Sequence, residues 1–217
     1  MKSIFKTGTF CVCLFVACST IARAAKVQSP DGNVVIDFRV KNFDGANGCA
    51  VYSISYRGKI VVKESKLGLD MEGGPLGCGL EIVRSQARSS SITWKPVYGE
   101  RGTVNDNYRE LTVELRETAA PHRQLQLTFR AYNEGAAFCY TIPKQAAMQE
   151  VKISGEKSEF RFPADYTAWA VYSAQGVYAE VPLSRIKPGC ERPLTIRVDD
   201  KTYLAVAEAR LVDYARM

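Results

Sequence analysis

The sequence predicts an all-β protein in which two antiparallel sheets stack as a β-sandwich. Apolar residues recur at every second position in four stretches, which begin at Val34, Leu111, Leu125 and Leu194, and this period of two is typical of half-buried strands. Turn signals separate these stretches, so that strands recur about every ten to fifteen residues. No window of about twelve residues combines helical spacing of apolar residues with caps at both ends, which disfavours a parallel sheet with crossover helices.

Local patterns support each strand and turn in order. The alternating apolar sets are Val34/Ile36/Phe38/Val40, Leu111/Val113/Leu115, Leu125/Leu127/Phe129 and Leu194/Ile196/Val198. The turn signals are Pro30-Asp31-Gly32, Arg57-Gly58-Lys59, Asn133-Glu134-Gly135 and Asp199-Asp200-Lys201. A single domain over residues 25–217, with about a dozen strands or more, follows from these patterns.

Four segments interrupt this rhythm. Ser89-Ser90-Ser91 and the glycine-rich run 73–79 are predicted to be loops, and the second is expected to be flexible because it lacks the lysine and the following helix of a phosphate-binding loop. Segments 94–111 and 169–186 mix aromatic rings with polar groups. That mixture suits sugar binding, since rings stack on the apolar face of a pyranose while carboxylates and amides bond its hydroxyls. It describes an interdomain surface equally well.

Residues 1–24 have the pattern of a secretory signal. Lys2 and Lys6 precede an apolar run over 10–17, and Ala22-Arg23-Ala24 supplies a small-x-small cleavage site. The alternative is a lipoprotein leader, in which Cys18 is lipidated after cleavage. Both alternatives predict an exported, periplasmic protein, which the second would anchor to the outer membrane.

The charge distribution excludes nucleic acid as a partner. Cleavage of the leader removes three cationic residues and no acidic ones, so the formal charge falls from +6 to +3. In the remaining chain, Lys and Arg alternate with Asp and Glu, whereas a nucleic-acid-binding surface clusters basic residues on one face.

Four cysteines remain after the leader is removed: Cys49, Cys78, Cys139 and Cys190. In an oxidising periplasm they can form two disulfides by any of three connectivities, and the sequence does not choose among these. Alternatively, Cys139 is a buried free thiol, because it alternates with Phe138 and Tyr140 in an apparent strand. The absence of a Cys-x-x-Cys pair argues against structural zinc.

Several chemistries lack the residues they need. His122 is the single histidine and is predicted to lie in an exposed turn, so a Ser-His-Asp or Cys-His centre is not expected. A site of paired carboxylates, which glycoside hydrolysis uses, is not excluded, because 23 acidic residues are present. The sequence alone cannot place two of them on either side of a glycosidic bond.

Ordered sequence blocks resemble the N-terminal domain of glycoside hydrolase family 97. They span almost the whole chain after the leader, in the order found in that family. The blocks are Ser29-Pro30-Asp31-Gly32, Val51-Tyr52-Ser53-Ile54-Ser55-Tyr56, Leu67-Gly68-Leu69, Trp94-Lys95-Pro96-Val97-Tyr98-Gly99-Glu100-Arg101, Asn107-Tyr108-Arg109-Glu110-Leu111, Phe129-Arg130-Ala131-Tyr132-Asn133-Glu134-Gly135, Phe162-Pro163, Pro182-Leu183-Ser184-Arg185-Ile186, Asp199-Asp200-Lys201 and Glu208-Ala209 with Leu211-Val212-Asp213-Tyr214.

The resemblance implies a β-super-sandwich similar to galactose mutarotase, followed by a TIM-like catalytic barrel and a small β domain. It implies a calcium-using α-glucosidase or α-galactosidase, whose acid and base or nucleophile lie on the barrel. The chain stops at Met217, before the position of a barrel, and we therefore expect no hydrolase activity from this polypeptide alone.

The resemblance also implies roles for individual residues. Gln175 stands where the family has a calcium-binding carboxylate, and Glu180 is the alternative ligand. The sequence departs from the family at Tyr98, where a tryptophan is usual, and at Asn105-Asp106-Asn107, where Arg-Asn-His is usual. The residues expected at a substrate or domain interface are Trp94, Glu100, Arg101, Asn107, Trp169, Glu208, Asp213 and Tyr214.

Three functions are compatible with these observations. The first is a non-catalytic, carbohydrate-associated domain that scaffolds a barrel missing from this chain. The second is a free-standing periplasmic carbohydrate-binding module for α-linked oligosaccharides. The third is an epimerase, which a mutarotase-like fold can host, although His122 is badly placed for that chemistry and a shared fold does not carry function with it.

Overall fold

Strands account for nearly all the regular structure in the computed structural model, which describes residues 24–216 except Ala147 and Asp213. The predicted leader therefore lies outside the described residues, apart from Ala24. A short 3-10 helix spans Leu183–Arg185. The strands are β1 (Ala24–Gln28), β2 (Val34–Phe43), β3 (Ala46–Tyr56), β4 (Lys59–Lys66), β5 (Leu69–Met71), β6 (Leu80–Trp94), β7 (Val104–Glu117), β8 (Gln124–Tyr132), β9 (Gly135–Thr141), β10 (Ile153–Glu156), β11 (Thr167–Ala170), β12 (Ala179–Pro182), β13 (Leu194–Asp199) and β14 (Thr202–Val206).

Two four-stranded sheets stack face to face and enclose the main hydrophobic core. Their strand orders are β1-β2-β3-β4 and β6-β7-β8-β9, and all their pairings are antiparallel. Phe38 of the first sheet contacts Phe129 of the second, with ring centroids 5.2 Å apart. Burial of an apolar side chain of this size contributes about 1.5–3 kcal/mol. The predicted sandwich of two antiparallel sheets is confirmed.

A third four-stranded sheet, in the order β12-β11-β13-β14, and a two-stranded ladder of β10 and β5 complete the domain. One face of the third sheet is apolar, and its residues Ala168, Ala170 and Ile196 are fully buried. Lys59 at the start of β4 forms an ion pair with Asp199 at the end of β13 (2.7 Å). This contact, together with hydrogen bonds from Lys201 and Thr202, lowers the pKa of Asp199 to about 2. Periodicity did not predict this sheet as a separate unit, because its strands have only four to six residues.

The predicted turns lie between consecutive strands, as expected. Arg57 and Gly58 connect β3 to β4 and have φ values of 49° and 78°, the geometry of a type I′ hairpin turn. The turn after β8 contains Asn133 and Glu134. His122 lies in an exposed turn before β8, which confirms its prediction.

The serine run and the segment after Trp94 fold differently from the prediction. β6 continues through Ser89-Ser90-Ser91 to Trp94, and β7 begins at Val104, so only residues 95–103 form a loop. The prediction was wrong because much of this hairpin faces solvent, which leaves little alternation of apolar and polar residues to detect.

The glycine-rich loop 73–79 is held firmly against the core, so the expectation of a flexible loop is corrected. Leu76 is fully buried, and its backbone exchanges hydrogen bonds with Leu69 (2.8 and 2.9 Å). The loop also passes so close to Gly68 that a methyl group on Gly77 would lie 2.8 Å from the Gly68 Cα atom. Arg123 donates hydrogen bonds to the carbonyls of Gly74 and Pro75 at 2.9 and 3.0 Å.

One disulfide joins Cys49 of β3 to Cys78 in this loop. Cys139 and Cys190 are free thiols, so a second disulfide between them is not formed. The prediction that a free Cys139 would be buried is wrong. The alternation of β9 directs Phe138 and Tyr140 toward the core and leaves Cys139 exposed.

No helix within residues 24–216, apart from the two undescribed positions, has the length and apolar character needed to cross a membrane.

Candidate functional site

The outer part of the β6–β7 hairpin projects beyond its sheet as a two-stranded arm, residues 91–107. The last residue of β8, Tyr132, pairs with Tyr108, and beyond this point the described residues of β6 and β7 pair only with each other. Thr93 Oγ1 donates a hydrogen bond to Asn105 Oδ1 across the arm (3.0 Å). The arm therefore lacks the third strand that stabilises the rest of the sheet.

The tip of the arm is apolar and open to solvent. Val97 and Tyr98 are 99% and 90% exposed, and Ile92 and Trp94 are also exposed. The predicted site residues on the arm, all exposed, are Trp94, Glu100, Arg101 and Asn107. The structure thus brings half of the predicted interface residues together on one projecting element.

A buried carboxylate fixes the base of the arm. Glu110 of β7 is only 4% exposed at its side chain and accepts hydrogen bonds from Arg88 Nε (2.5 Å) and Arg130 Nε (2.7 Å) on the flanking strands. Burial alone would raise the pKa of Glu110, but the two guanidinium groups outweigh burial and lower it. The Arg130 guanidinium also lies 4.3 Å from the centre of the Tyr108 ring.

A groove of about 460 Å³ lies beside this base, where β1 crosses β6 and β7. Its lining residues are Lys26, Val27, Gln28, Ala87, Arg88, Ser89, Arg109 and Glu110. Sequence reasoning missed this groove. Glu110 lay within a block quoted for the family resemblance, but nothing in the sequence indicated that two arginines on neighbouring strands would bury its carboxylate.

A second candidate surface lies on the outer face of the third sheet. We call it the aromatic platform, and it consists of Trp169, Glu180, Arg197 and Tyr203. The rings of Trp169 and Tyr203 have centroids 6.0 Å apart and an interplanar angle of 32°. The Arg197 guanidinium lies 5.8 Å from the centre of the Trp169 ring and forms an ion pair with Glu180 at 3.2 Å. Sequence reasoning selected Trp169 and Glu180 but missed Tyr203 and Arg197.

Gln175, the predicted calcium ligand, lies away from the strands in an exposed turn. The amide of Gly176 donates to the carbonyl of Ser173 (3.0 Å) and closes this turn around Gln175. Glu180, the alternative ligand, is instead engaged by Arg197 on the platform.

The remaining predicted residues lie in the segment after β14. Glu208 forms an ion pair with Arg192 (2.5 Å), and the Tyr214 hydroxyl donates to Glu156 (3.0 Å). Burial and the contact with Glu156 raise the pKa of Tyr214 to about 12. Asp213 lies outside the described residues. Both contacts fasten this segment to the domain.

The predicted interface residues thus fall into three groups, on the arm, on the platform and in the last segment. Within the part of the chain that the structure describes, no hydrogen bond, ion pair or ring contact joins the arm to the platform.

Sequence comparison assigns the chain to a family. The model of the family described as "Glycosyl-hydrolase 97 N-terminal" matches residues 27–217. The chain belongs to this family. The predicted resemblance is therefore confirmed, and the arm and platform are features of a family 97 N-terminal domain.

Solved family 97 enzymes share the fold of this domain. A family 97 enzyme from Pseudoalteromonas sp. strain K8, solved in complex with panose and with acarbose, matches with a TM-score of 0.81 and 31% identity over 89% of this chain and 30% of that enzyme. A β-arabinopyranosidase matches in fold with a TM-score of 0.75, 23% identity and coverage of 84% of this chain and 31% of that protein.

A curated relative is the "Probable retaining alpha-galactosidase" of Streptomyces bingchenggensis (strain BCW-1). It is 24% identical over 171 residues, which cover 77% of this chain and 26% of that protein. The family 97 domain therefore spans about a quarter to a third of the length of these relatives.

Calcium binding by this family 97 domain remains a prediction. Among the described residues, no group of three or more His, Cys, Asp or Glu side chains is placed to hold a metal ion, whereas calcium takes about six to eight oxygen ligands. Gln175 and Glu180 therefore do not make a calcium site by themselves. Further oxygen ligands, in addition to these two side chains, would be needed to complete one.

We expect that removing divalent cations leaves the thermal unfolding midpoint of the isolated chain unchanged, because residues 24–216, apart from the two undescribed positions, place no three His, Cys, Asp or Glu side chains together to hold a metal ion. Thermal scans with EDTA and with added calcium measure this. A midpoint that rises with calcium concentration would contradict the expectation.

Proposed function

We propose that this family 97 domain is a non-catalytic, carbohydrate-associated domain that supports a catalytic barrel acting on α-linked oligosaccharides. The observation that carries the proposal is the arm, which presents an exposed apolar tip on a two-stranded ribbon. The length of the relatives supports it, since each of them contains two thirds or more additional chain.

The arm has little stability of its own. A two-stranded hairpin is marginally stable in water by itself. The side chains of Val97 and Tyr98 add no stabilisation from burial, because they are almost completely exposed. Exposed apolar clusters bordered by polar residues mark protein contact surfaces. Lys95, Glu100 and Arg101 supply such a border at this tip.

The base of the arm supports the same conclusion. Arg88 and Arg130 hold Glu110 from both sides, so the arm leaves the sheet in a defined direction. An element that is already ordered loses little conformational entropy when it docks. We therefore assign the arm as the contact through which the domain holds its catalytic partner.

Co-expression with a family 97 enzyme lacking its own N-terminal domain tests this assignment. The Pseudoalteromonas enzyme is a suitable partner for this assay, because its structure contains a domain of this fold that can be removed and replaced. We expect that wild-type chain co-purifies with the truncated enzyme and restores hydrolysis of panose. The Val97→Ser/Tyr98→Ser variant should bind about 30-fold more weakly, since loss of a central contact costs about 2 kcal/mol or more.

Val177→Ser/Tyr178→Ser is the matched control, because these residues form a similar exposed pair outside the arm. Both double variants should unfold at the wild-type temperature, since all four side chains are exposed. Equal binding and equal restoration of activity by the arm variant and the wild type would contradict the proposal.

We also propose that the domain works outside the cytoplasm, after cleavage at Ala24 or lipidation at Cys18. The Cys49–Cys78 disulfide supports this, because such bonds persist in oxidising compartments. The mass of the mature protein isolated from its source distinguishes the two forms of processing.

A further inference from the structure

We infer that the aromatic platform is a carbohydrate-binding site in its own right and that it takes a neutral α-linked gluco-oligosaccharide such as panose. The inference concerns Trp169, Tyr203, Arg197 and Glu180 and does not involve the arm. It rests on the proposed function only for the choice of sugar class.

The two rings supply the apolar part of the site. Trp169 is half-buried in the middle of the sheet, while Tyr203 is 54% exposed, and their centroids are 6.0 Å apart. An aromatic ring stacks on the apolar face of a pyranose, and its large area is buried with little loss of side-chain entropy. Two neighbouring rings offer a surface comparable with that of a disaccharide.

The ion pair supplies the polar part. Arg197 donates hydrogen bonds and Glu180 accepts them, and both groups border the Trp169 ring. Both side chains are largely exposed, so their mutual attraction contributes about 1 kcal/mol at most to stability. Arg197 Nη2 also donates to Thr167 Oγ1 at 3.5 Å. A guanidinium carries five N–H donors and a carboxylate about four acceptor positions, so both groups can bind hydroxyl groups in addition to each other.

The charge of the platform selects among ligands. Arg197 and Glu180 neutralise each other, so the surface offers hydrogen bonds in both senses without a net charge. Because the two charges cancel, a phosphate group or an acidic polysaccharide gains no net attraction here to offset the loss of its hydration, whereas a neutral sugar needs only the rings and the hydrogen bonds that the surface offers. Glu180 is the one carboxylate among the four platform residues, so the platform does not supply the pair of carboxylates that glycoside hydrolysis uses.

The sheet holds the four side chains in place before a ligand arrives. Trp169 pairs across the sheet with Glu180, and Arg197 pairs with Tyr203. On the opposite face, Ala168 and Ile196 are fully buried, which fixes the positions of the strands. A site built on packed strands loses less entropy on binding than a site built on a loop.

Tryptophan fluorescence tests the inference on the whole chain, because the protein contains only Trp94 and Trp169. In the Trp94→Phe variant, the emission reports Trp169 alone. We expect panose to change this emission in a saturable way with a Kd of about 1 mM, the range of a weak two-ring contact. Cellobiose, a β-linked disaccharide of the same units, should bind at least about ten-fold more weakly.

Substitutions then locate the site. Tyr203→Ala and Trp169→Ala should each raise the Kd for panose by about ten-fold or more, measured by calorimetry, since one stacked ring contributes about 0.5–1.5 kcal/mol beyond the area that it buries. Tyr203→Ala changes an exposed side chain and should keep the wild-type unfolding temperature, so it tests the site even where Trp169→Ala fails to fold. Val83→Ala, which changes an exposed side chain of β6 outside both the arm and the platform, is the control and should bind panose as the wild type does.

Three results would overturn the inference. The first is an unchanged Trp169 emission at about 10 mM panose, ten times the expected constant. The second is panose binding that Tyr203→Ala leaves intact, which would place the sugar elsewhere. The third is a Trp169 emission that changes on addition of the truncated family 97 enzyme but not of panose, which would assign the platform to a protein partner. The arm variant is measured in a separate assay, so failure here and failure of the proposed function are distinguishable.

Discussion

Removal of the Cys49–Cys78 disulfide is expected to lower the free energy of unfolding by about 3–4 kcal/mol, as loop closure across this spacing predicts. The two cysteines are 29 positions apart in the sequence, and the cross-link restricts the unfolded chain over that length. The variant is Cys49→Ala/Cys78→Ala, and urea denaturation measures the effect.

The free thiols provide the control for this experiment. Cys139→Ala/Cys190→Ala should change the free energy of unfolding by about 0.5 kcal/mol or less, because neither residue is in a disulfide or fully buried. A reductant should lower the stability of the wild type to that of the Cys49/Cys78 variant and leave that variant unchanged. Equal stability of the wild type and this variant would disprove the role of the disulfide.

The Glu117→Ala substitution is expected to lower the free energy of unfolding by about 3–5 kcal/mol, because it leaves the buried guanidinium of Arg123 without its carboxylate partner. The side chains of Arg123 and Glu117 are only 8% and 14% exposed and meet at 2.6 Å. Arg123 also holds the carbonyls of Gly74 and Pro75, so its displacement would release the loop 73–79. Glu134→Ala, in an exposed turn, is the control and should have little effect.

The effect of Glu117→Ala should depend on pH. Hydrogen bonding from Arg123 lowers the pKa of Glu117 below its ordinary value of 4.5. The stabilisation is therefore fully present above the pKa of the unfolded chain and is lost as the pH falls through the lower pKa of the folded state. Urea denaturation at pH 7 and at pH 3 should show a large difference between variant and wild type at pH 7 and a smaller one at pH 3. An equal difference at both values would contradict the role of the charged carboxylate.

The sandwich was predictable because one face of each long strand is buried. Leu125, Leu127 and Phe129 alternate with polar residues, and all three are fully buried in the structure. In the third sheet only β13 gave this signal, through Leu194, Ile196 and Val198. Its neighbour Thr167–Ala170 is too short to show a period. The outer half of the β6–β7 hairpin gave no such signal either, because most of its residues are exposed and, among the described residues, its two strands pair only with each other.

The candidate surfaces were predictable only in part. Trp169 was selected because aromatic residues are unusual in a polar segment, but its contact with Tyr203 depends on how β11, β13 and β14 pair, which no local pattern reports. The disulfide was undetermined for the same reason. Cys49 and Cys78 meet only because the loop after β5 folds back onto β3, and chain spacing alone left three connectivities open.

The separation of the arm from the platform has a consequence for long substrates. The two surfaces share no residue and belong to different sheets, so each can be occupied while the other is in use. A glucan chain bound to Trp169 and Tyr203 would then be held close to the protein that is bound at the arm. Its free ends would reach that neighbour at an effective concentration determined by geometry, and not by the amount of sugar in solution.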